Sequence, residues 1–166
     1  MKKAILLILC LIGLAFWANA NRNELAVWFN ADSFYRPIFT SSFDVQEPGI
    51  SIRAELKSTY QVRHGFFLTF PCDNLMSEVY NNLDGSIRYS FYSKGVELES
   101  KTIPIPQQPM MGQNRNGVCN IVLFTFDLPY QDHDIVTLEV ELESPITQLI
   151  AYKDIQCEVS PAYWPK

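Results

Sequence analysis

The segment Val136-Thr137-Leu138-Glu139-Val140-Glu141-Leu142-Glu143 alternates strictly between apolar and polar residues. Successive side chains of a β-strand point to opposite faces of the sheet, so this period of two predicts a strand with one buried and one solvated face. An amphipathic helix would instead need apolar residues every three or four positions. The pattern favours an antiparallel sheet, because such sheets commonly bury one face only.

The same alternation recurs along most of the chain and predicts further strands. It is found in residues 25–29, 39–45, 50–56, 60–70, 87–91, 96–98, 103–105 and 149–159, the last as two short strands. Residues 118–128 are almost continuously apolar, which predicts a central strand covered on both sides. Residues 73–82 are the one stretch with a helical pattern.

Turn-forming pairs such as Asp84-Gly85, Lys94-Gly95 and Asn116-Gly117 separate these runs. Many short strands at this spacing favour two packed sheets over alternating strands and helices. We therefore expect an all-β protein, an antiparallel β-sandwich of immunoglobulin-like or Greek-key type with eight or nine strands.

The N-terminus has the three features of a secretory signal peptide. Lys2 and Lys3 precede an uncharged apolar run from Ala4 to Phe16, and Ala18-Asn19-Ala20 is a small-residue cleavage site. A lipoprotein signal with Cys10 as the acceptor is the alternative, although Cys10 lies in the middle of the apolar run. We expect residues 1–20 to be removed, residues 21–166 to form one domain, and the product to be periplasmic or secreted without inserting into a membrane.

Charge excludes several classes of partner. Loss of Lys2 and Lys3 leaves 11 basic residues against 18 acidic ones, a net charge of −7. Nucleic acids are bound through clusters of lysine and arginine, and this chain has none. We expect no nucleic-acid partner, whereas a basic protein would be attracted to such a surface.

Three cysteines remain after export, in a compartment where disulfides persist. Cys72 follows one predicted strand and Cys119 begins another, so antiparallel pairing of the two would place both thiols at one end of a sheet. We predict a Cys72–Cys119 disulfide. Cys157 alternates with polar neighbours and is expected to be a small buried hydrophobe.

No sequence motif of a known catalytic or metal site is present, and we expect no enzyme activity, no cofactor and no bound metal. Asp132-His133-Asp134 could serve a metal or acid–base site, but a solvated turn after Pro129-Tyr130 is the simpler interpretation. His64 falls in an apolar stripe and is expected to be hydrogen-bonded in the core. Glu139, Glu141 and Glu143 are expected to form a solvated acidic stripe that protects a sheet edge.

A binding role is predicted from two connecting segments. The polar stretch 106–117 is long for a loop, and long loops in compact domains are often functional. In this hypothesis Met110, Met111 and Tyr130 are anchors that become buried against a partner protein, because methionine and aromatic residues are enriched at interface cores. The predicted partner-binding residues are Met110, Met111, Arg115, Tyr130, Asp132 and Asp134, with the two aspartates pairing with basic groups.

An alternative function is a carbohydrate-binding or surface-adhesion module. Tyr130, Tyr163 and Trp164 lie outside the apolar stripes, and exposed aromatic rings stack on the apolar faces of sugars. A C-terminal tail that folds back and packs on the domain would remove this possibility.

Several stretches resemble a family of small exported bacterial β-sandwich proteins of unknown function. They are Phe43-Asp44-Val45, Gly49-Ile50-Ser51-Ile52, Phe66-Phe67-Leu68-Thr69-Phe70, Thr102-Ile103-Pro104-Ile105, Leu138-Glu139-Val140 and Ile155-Gln156-Cys157-Glu158-Val159. Tyr60 leads into the stretch that begins at Phe66. Some members of that family are thought to be immunity proteins that neutralise toxins delivered into the periplasm. The resemblance implies an exported, non-enzymatic domain whose partner is a toxin effector. This chain departs from the family at residues 131–135, where a glycine–aromatic pair is absent.

Overall fold

A computed structural model describes residues 2–72, 83–107, 110–113 and 117–163. The predicted helix at 73–82 lies outside these residues. The chain divides into two compact units, and the second comprises Pro37–Tyr163.

The N-terminal unit contains two helices, α1 (Lys2–Ala20) and α2 (Arg22–Phe34), the second kinked at Asn30. The strand predicted at residues 25–29 is therefore wrong. Glu24, Leu25 and Ala26 are good helix formers, and local propensity decides the conformation of a segment that joins no sheet. Within the described residues, no helix combines the length and hydropathy needed to cross a membrane.

The second unit is the expected all-β sandwich of antiparallel strands. One sheet has the strand order β1-β9-β3-β7-β6 and the other β2-β8-β4-β5. The strands are β1 (Phe39–Ser42), β2 (Ser51–Leu56), β3 (Arg63–Pro71), β4 (Ser86–Ser93), β5 (Val96–Pro104), β6 (Met111–Gln113), β7 (Val118–Asp127), β8 (Val136–Ser144) and β9 (Gln156–Pro161). Apart from β4–β5 and β6–β7, paired strands are distant in sequence.

Three strand predictions need correction. Residues 106–117 are not wholly irregular, because they contain the short strand β6. β7 buries one face and leaves the other half-buried or exposed, so it is not covered on both sides. In place of a first strand within 149–159, the structure has a 3-10 turn at Thr147–Leu149 before β9.

The core lies between the two sheets. Its fully buried side chains come from alternate positions of the central strands, among them Phe66, Leu68, Ile87, Leu138 and Leu142. A single apolar layer about 10 Å thick fills such a sandwich. Strand alternation supplies most of it, and residues of the connecting segments, such as Phe43 and Ile146, complete it. The alternating segment Val136–Glu143 belongs to β8, which lies between β2 and β4 in its sheet, and its apolar residues are buried as predicted.

Cys72 and Cys119 form the predicted disulfide, with Cα atoms 5.8 Å apart. Cys72 directly follows β3 and Cys119 is the second residue of β7, and these strands pair antiparallel with Phe70 opposite Cys119. Cys157 is fully buried with a free thiol, as expected. Burial raises the pKa of that thiol to about 12, so it is unreactive near neutral pH.

Candidate functional site

A cavity of about 550 Å³ opens at one end of the sandwich. The β4–β5 turn, the β7–β8 loop and the adjoining parts of β2 and β8 form its walls. Its lining residues are Glu55, Tyr92, Ser93, Lys94, Gly95, Asp132, His133, Asp134, Ile135 and Thr137.

A tight turn shapes the β7–β8 loop. The His133 N–H donates to the Tyr130 carbonyl at 2.9 Å, and the two residues between them have positive φ, 46° at Gln131 and 66° at Asp132. Positive φ at both central residues is the signature of a type I′ turn. The turn places Asp132, His133 and Asp134, which the sequence analysis singled out, on the wall of the cavity.

One side-chain hydrogen bond fastens this loop to the β4–β5 turn. Ser93 Oγ and His133 Nδ1 lie 3.1 Å apart, and both side chains line the cavity. Ser93 is buried at the end of β4, so the loop is attached to a rigid strand.

The cavity is negatively charged. Glu55, Asp132 and Asp134 supply three carboxylates, against the one ammonium group of Lys94. Every ion pair formed within the described part of the chain uses other carboxylates. Converging acidic groups without a neutralising partner create a potential that attracts a cationic side chain.

The other predicted partner-binding residues, Met110, Met111 and Arg115, are not among the residues that line the cavity. Met110 is exposed, at 56% of its full accessibility, but is not among the cavity residues. The backbone of Met111 belongs to β6, and Arg115 lies outside the described residues. Their contribution to partner binding stays a prediction.

Tyr130 was expected to stand out of the core, and this expectation is wrong. Its side chain is only 9% exposed and its ring stacks on Phe91 at a centroid distance of 3.9 Å. Its hydroxyl donates to the Glu99 carboxylate. Because one face of its ring is stacked on Phe91 and little of the residue is exposed, Tyr130 is not the exposed aromatic that the sequence suggested, although it orients the loop that carries Asp132.

Sequence reasoning missed Glu55, Tyr92 and Lys94 as members of the site. Lys94-Gly95 was recognised as a turn, and Glu55 as an outward strand residue, but nothing local shows that they meet the β7–β8 loop. Only the pairing of β2 with β8 brings Glu55 opposite Thr137.

The expected acidic stripe on β8 is neither free nor at an edge. β8 lies between β2 and β4, and its acidic residues pair across to both neighbours. Arg53 binds Glu139 at 2.8 Å, and Arg88 binds Glu141 and also Glu143, the latter at 3.3 Å. These ion pairs neutralise much of the charge of the stripe, whereas Glu55, Asp132 and Asp134 at the cavity form no ion pair with a described residue.

His64 is fully buried and hydrogen-bonded, as expected for a core histidine. Its Nδ1 lies 2.9 Å from the Val62 carbonyl and its Nε2 lies 3.1 Å from Ser58 Oγ. The carbonyl fixes the proton on Nδ1, which leaves Nε2 as an acceptor facing the Ser58 hydroxyl. The pair holds the β2–β3 connection against the core.

Among the described residues, no group of three histidine, cysteine or acidic residues is placed to hold a metal ion.

Comparison with known proteins leaves the family open. No protein-family model matches the chain, and no curated protein matches it. Among solved structures, it is similar to a crystal structure of a protein from Sulfurospirillum deleyianum, with a TM-score of 0.50 and 8% sequence identity. The match covers 78% of this chain and 99% of that one, and at this identity it shows a shared fold alone.

Proposed function

We propose that this chain is a non-catalytic, exported module that binds a basic protein partner through the acidic cavity. The observation that carries the proposal is that Glu55, Asp132 and Asp134 line one cavity and none of them forms an ion pair with a described residue, Lys94 included. A lysine or arginine of the partner would enter the cavity and pair with these carboxylates.

The scaffold supports this role because it holds the carboxylates before a partner arrives. The type I′ turn and the Ser93–His133 hydrogen bond restrict the loop, so less conformational entropy is lost on binding. The disulfide is compatible with an exported protein. Within this class, the resemblance to exported β-sandwich proteins favours an immunity protein that covers the active site of a periplasmic toxin.

The test uses the product of the neighbouring gene as the candidate partner. Calorimetry would compare its affinity for the mature chain and for the variant Asp132→Asn/Asp134→Asn. We expect binding to weaken by about tenfold or more, because each charged hydrogen bond is worth about 1.5–3 kcal/mol. The wild-type affinity should also fall with added salt.

The matched control is Glu47→Gln/Asp154→Asn, which removes two exposed charges that do not line the cavity. It should bind nearly as well as the wild-type chain. Equal losses in both variants would mean that net charge, and not the cavity, governs binding, and the proposal would fail. Protection of cells that express the partner would further support the immunity role.

A further inference from the structure

We propose a second, independent binding site: the free edge of β7 at Thr125–Asp127 accepts an extended peptide strand that carries an inward-facing lysine or arginine. The site lies along the open flank of the sandwich, on the other side of the β7–β8 loop from the acidic cavity. It does not depend on the proposed function, because it uses different residues.

The edge is free because β6 is short. β6 pairs only with residues 119–121 of β7, and the Val122 N–H reaches the Met110 carbonyl at 3.0 Å. Beyond Val122, the described residues provide no strand on this side of β7. Thr125 and Asp127 are both exposed.

The register shows which backbone groups point outward. Leu128 N–H donates to the Val62 carbonyl, and His64 lies opposite Phe126 with a regular register between them. In an antiparallel pair, residues alternate between those bonded to the partner strand and those facing away. The N–H and C=O groups of Thr125 and Asp127 therefore face the open flank, as a template for another strand.

A groove of about 350 Å³ runs beside this edge and would receive alternate side chains of the added strand. Its wall is aromatic, with Tyr89 stacked on Phe124 at 4.5 Å and Phe91 stacked on Tyr130. The lining residues are Tyr89, Phe91, Glu99, Phe124, Thr125, Phe126, Asp127, Tyr130 and Gln131.

Charge identifies the occupant. Of the described residues that line the groove, Glu99 and Asp127 carry carboxylates and none is a lysine or arginine. Glu99 accepts hydroxyl hydrogens from Tyr130 and, at 3.4 Å, from Tyr89, yet a carboxylate has about four acceptor positions. Asp127 is paired with Arg63 at 3.4 Å, so Glu99 is the group left for an incoming cation.

Both the apolar stem and the charged end of a lysine or arginine side chain fit this groove. Its methylene stem would lie on the aromatic wall while its charged end reaches Glu99. Backbone hydrogen bonds to β7 would supply affinity, and the groove would select the residue that faces inward.

The experiment uses two designed peptides, acetyl-Val-Thr-Val-Lys-Val-Thr-Val-amide and the same sequence with glutamate in place of lysine. Nuclear magnetic resonance of the mature chain would follow the amide signals of residues 122–128 during titration. We expect the lysine peptide to shift the Thr125 and Asp127 signals, to slow their hydrogen exchange, and to bind at least tenfold more tightly than the glutamate peptide.

Two variants distinguish strand addition from surface association. Thr125→Pro removes an outward N–H that β3 does not use, a position where proline is tolerated on an edge strand. It should reduce binding by about tenfold, while Thr125→Val, which keeps the N–H, should bind normally. Glu99→Gln should erase the preference for lysine, and Glu97→Gln on the same strand should not.

The proposal is overturned if neither peptide perturbs β7 at millimolar concentration, or if Thr125→Pro binds as well as Thr125→Val when circular dichroism shows both to be folded. Loss of binding in Asp132→Asn/Asp134→Asn would also count against it, since it would assign the peptide to the acidic cavity.

Discussion

Ser93 Oγ lies 3.1 Å from His133 Nδ1, and this contact joins the end of β4 to the loop that carries Asp132 and Asp134. The two residues are 40 positions apart in sequence. Their contact means that the geometry of the acidic cavity depends on a strand that contributes none of the carboxylates.

Ser93→Ala should loosen the loop without unfolding the domain. One hydrogen bond contributes about 0.5–1.5 kcal/mol, so amide exchange at residues 131–134 should accelerate by up to about tenfold. The control is Ser90→Ala on the same strand, whose hydroxyl contacts Ser100 at 2.8 Å and not the loop. Identical exchange in both variants would show that Ser93 does not restrain the loop.

His64 predicts how stability depends on pH. Burial lowers the pKa of His64, opposed by its contact with the Val62 carbonyl and by the charge of Asp127. The folded state therefore favours the neutral ring, and the stabilisation is complete above the unfolded pKa of about 6.5. As pH falls below that value, the unfolded chain takes up the proton first and stability decreases until the folded pKa is reached.

Urea unfolding between pH 4.5 and 7.5 would measure this dependence, with His64→Gln as the comparison. The glutamine can still hydrogen-bond but does not titrate, so the difference in unfolding free energy between the two proteins should change with pH only below about 6.5. A constant difference across the range would contradict the assigned role of His64.

The disulfide should contribute substantially to stability. It closes a separation of 47 residues, which corresponds to about 4 kcal/mol in the chain-entropy model. Cys72→Ala/Cys119→Ala should lower the free energy of unfolding by roughly this amount in chemical denaturation.

Thiol titration checks the same assignment without a variant. The mature chain, unfolded without reductant, should expose one thiol, from Cys157, and the folded chain none that reacts near neutral pH. Three reactive thiols would exclude the disulfide.

Gly85 should be among the least replaceable turn residues. Its φ is +94°, and a Cβ there would lie 2.6 Å from the Pro145 carbonyl oxygen. Gly85→Ala should cost about 2–3 kcal/mol or more, since it combines left-handed strain with overlap against backbone.

Gly49→Ala isolates the strain, because Gly49 has a φ of +86° and open space where the Cβ would lie. It should cost only about 1–2 kcal/mol. Thermal or urea unfolding of the Gly85→Ala and Gly49→Ala variants would measure the loss of unfolding free energy in each. Equal losses would contradict the predicted overlap at Gly85.

Periodicity was sufficient to predict the β-sandwich because each strand buries alternate residues whatever its partner. Val136–Glu143 shows this directly, with Val136, Leu138 and Val140 buried in the order in which they alternate. The same reasoning failed at residues 25–29, where an alternating stretch joins no sheet and forms α2 instead. It also could not show that β6 is too short to cover β7.

The sequence by itself determined the fold class and the buried states of His64 and Cys157, since each follows from local pattern, and it predicted the disulfide partners from the expected pairing of two strands. Tertiary structure alone decided which acidic residues are neutralised and which are not. Glu139 and Glu141 face arginines across the sheet, whereas Asp132 and Asp134 meet Glu55 in a cavity. The physical reason is that a carboxylate can pair only with a cation that lies beside it. The order and register of the strands decide which residues, far apart in the chain, become neighbours.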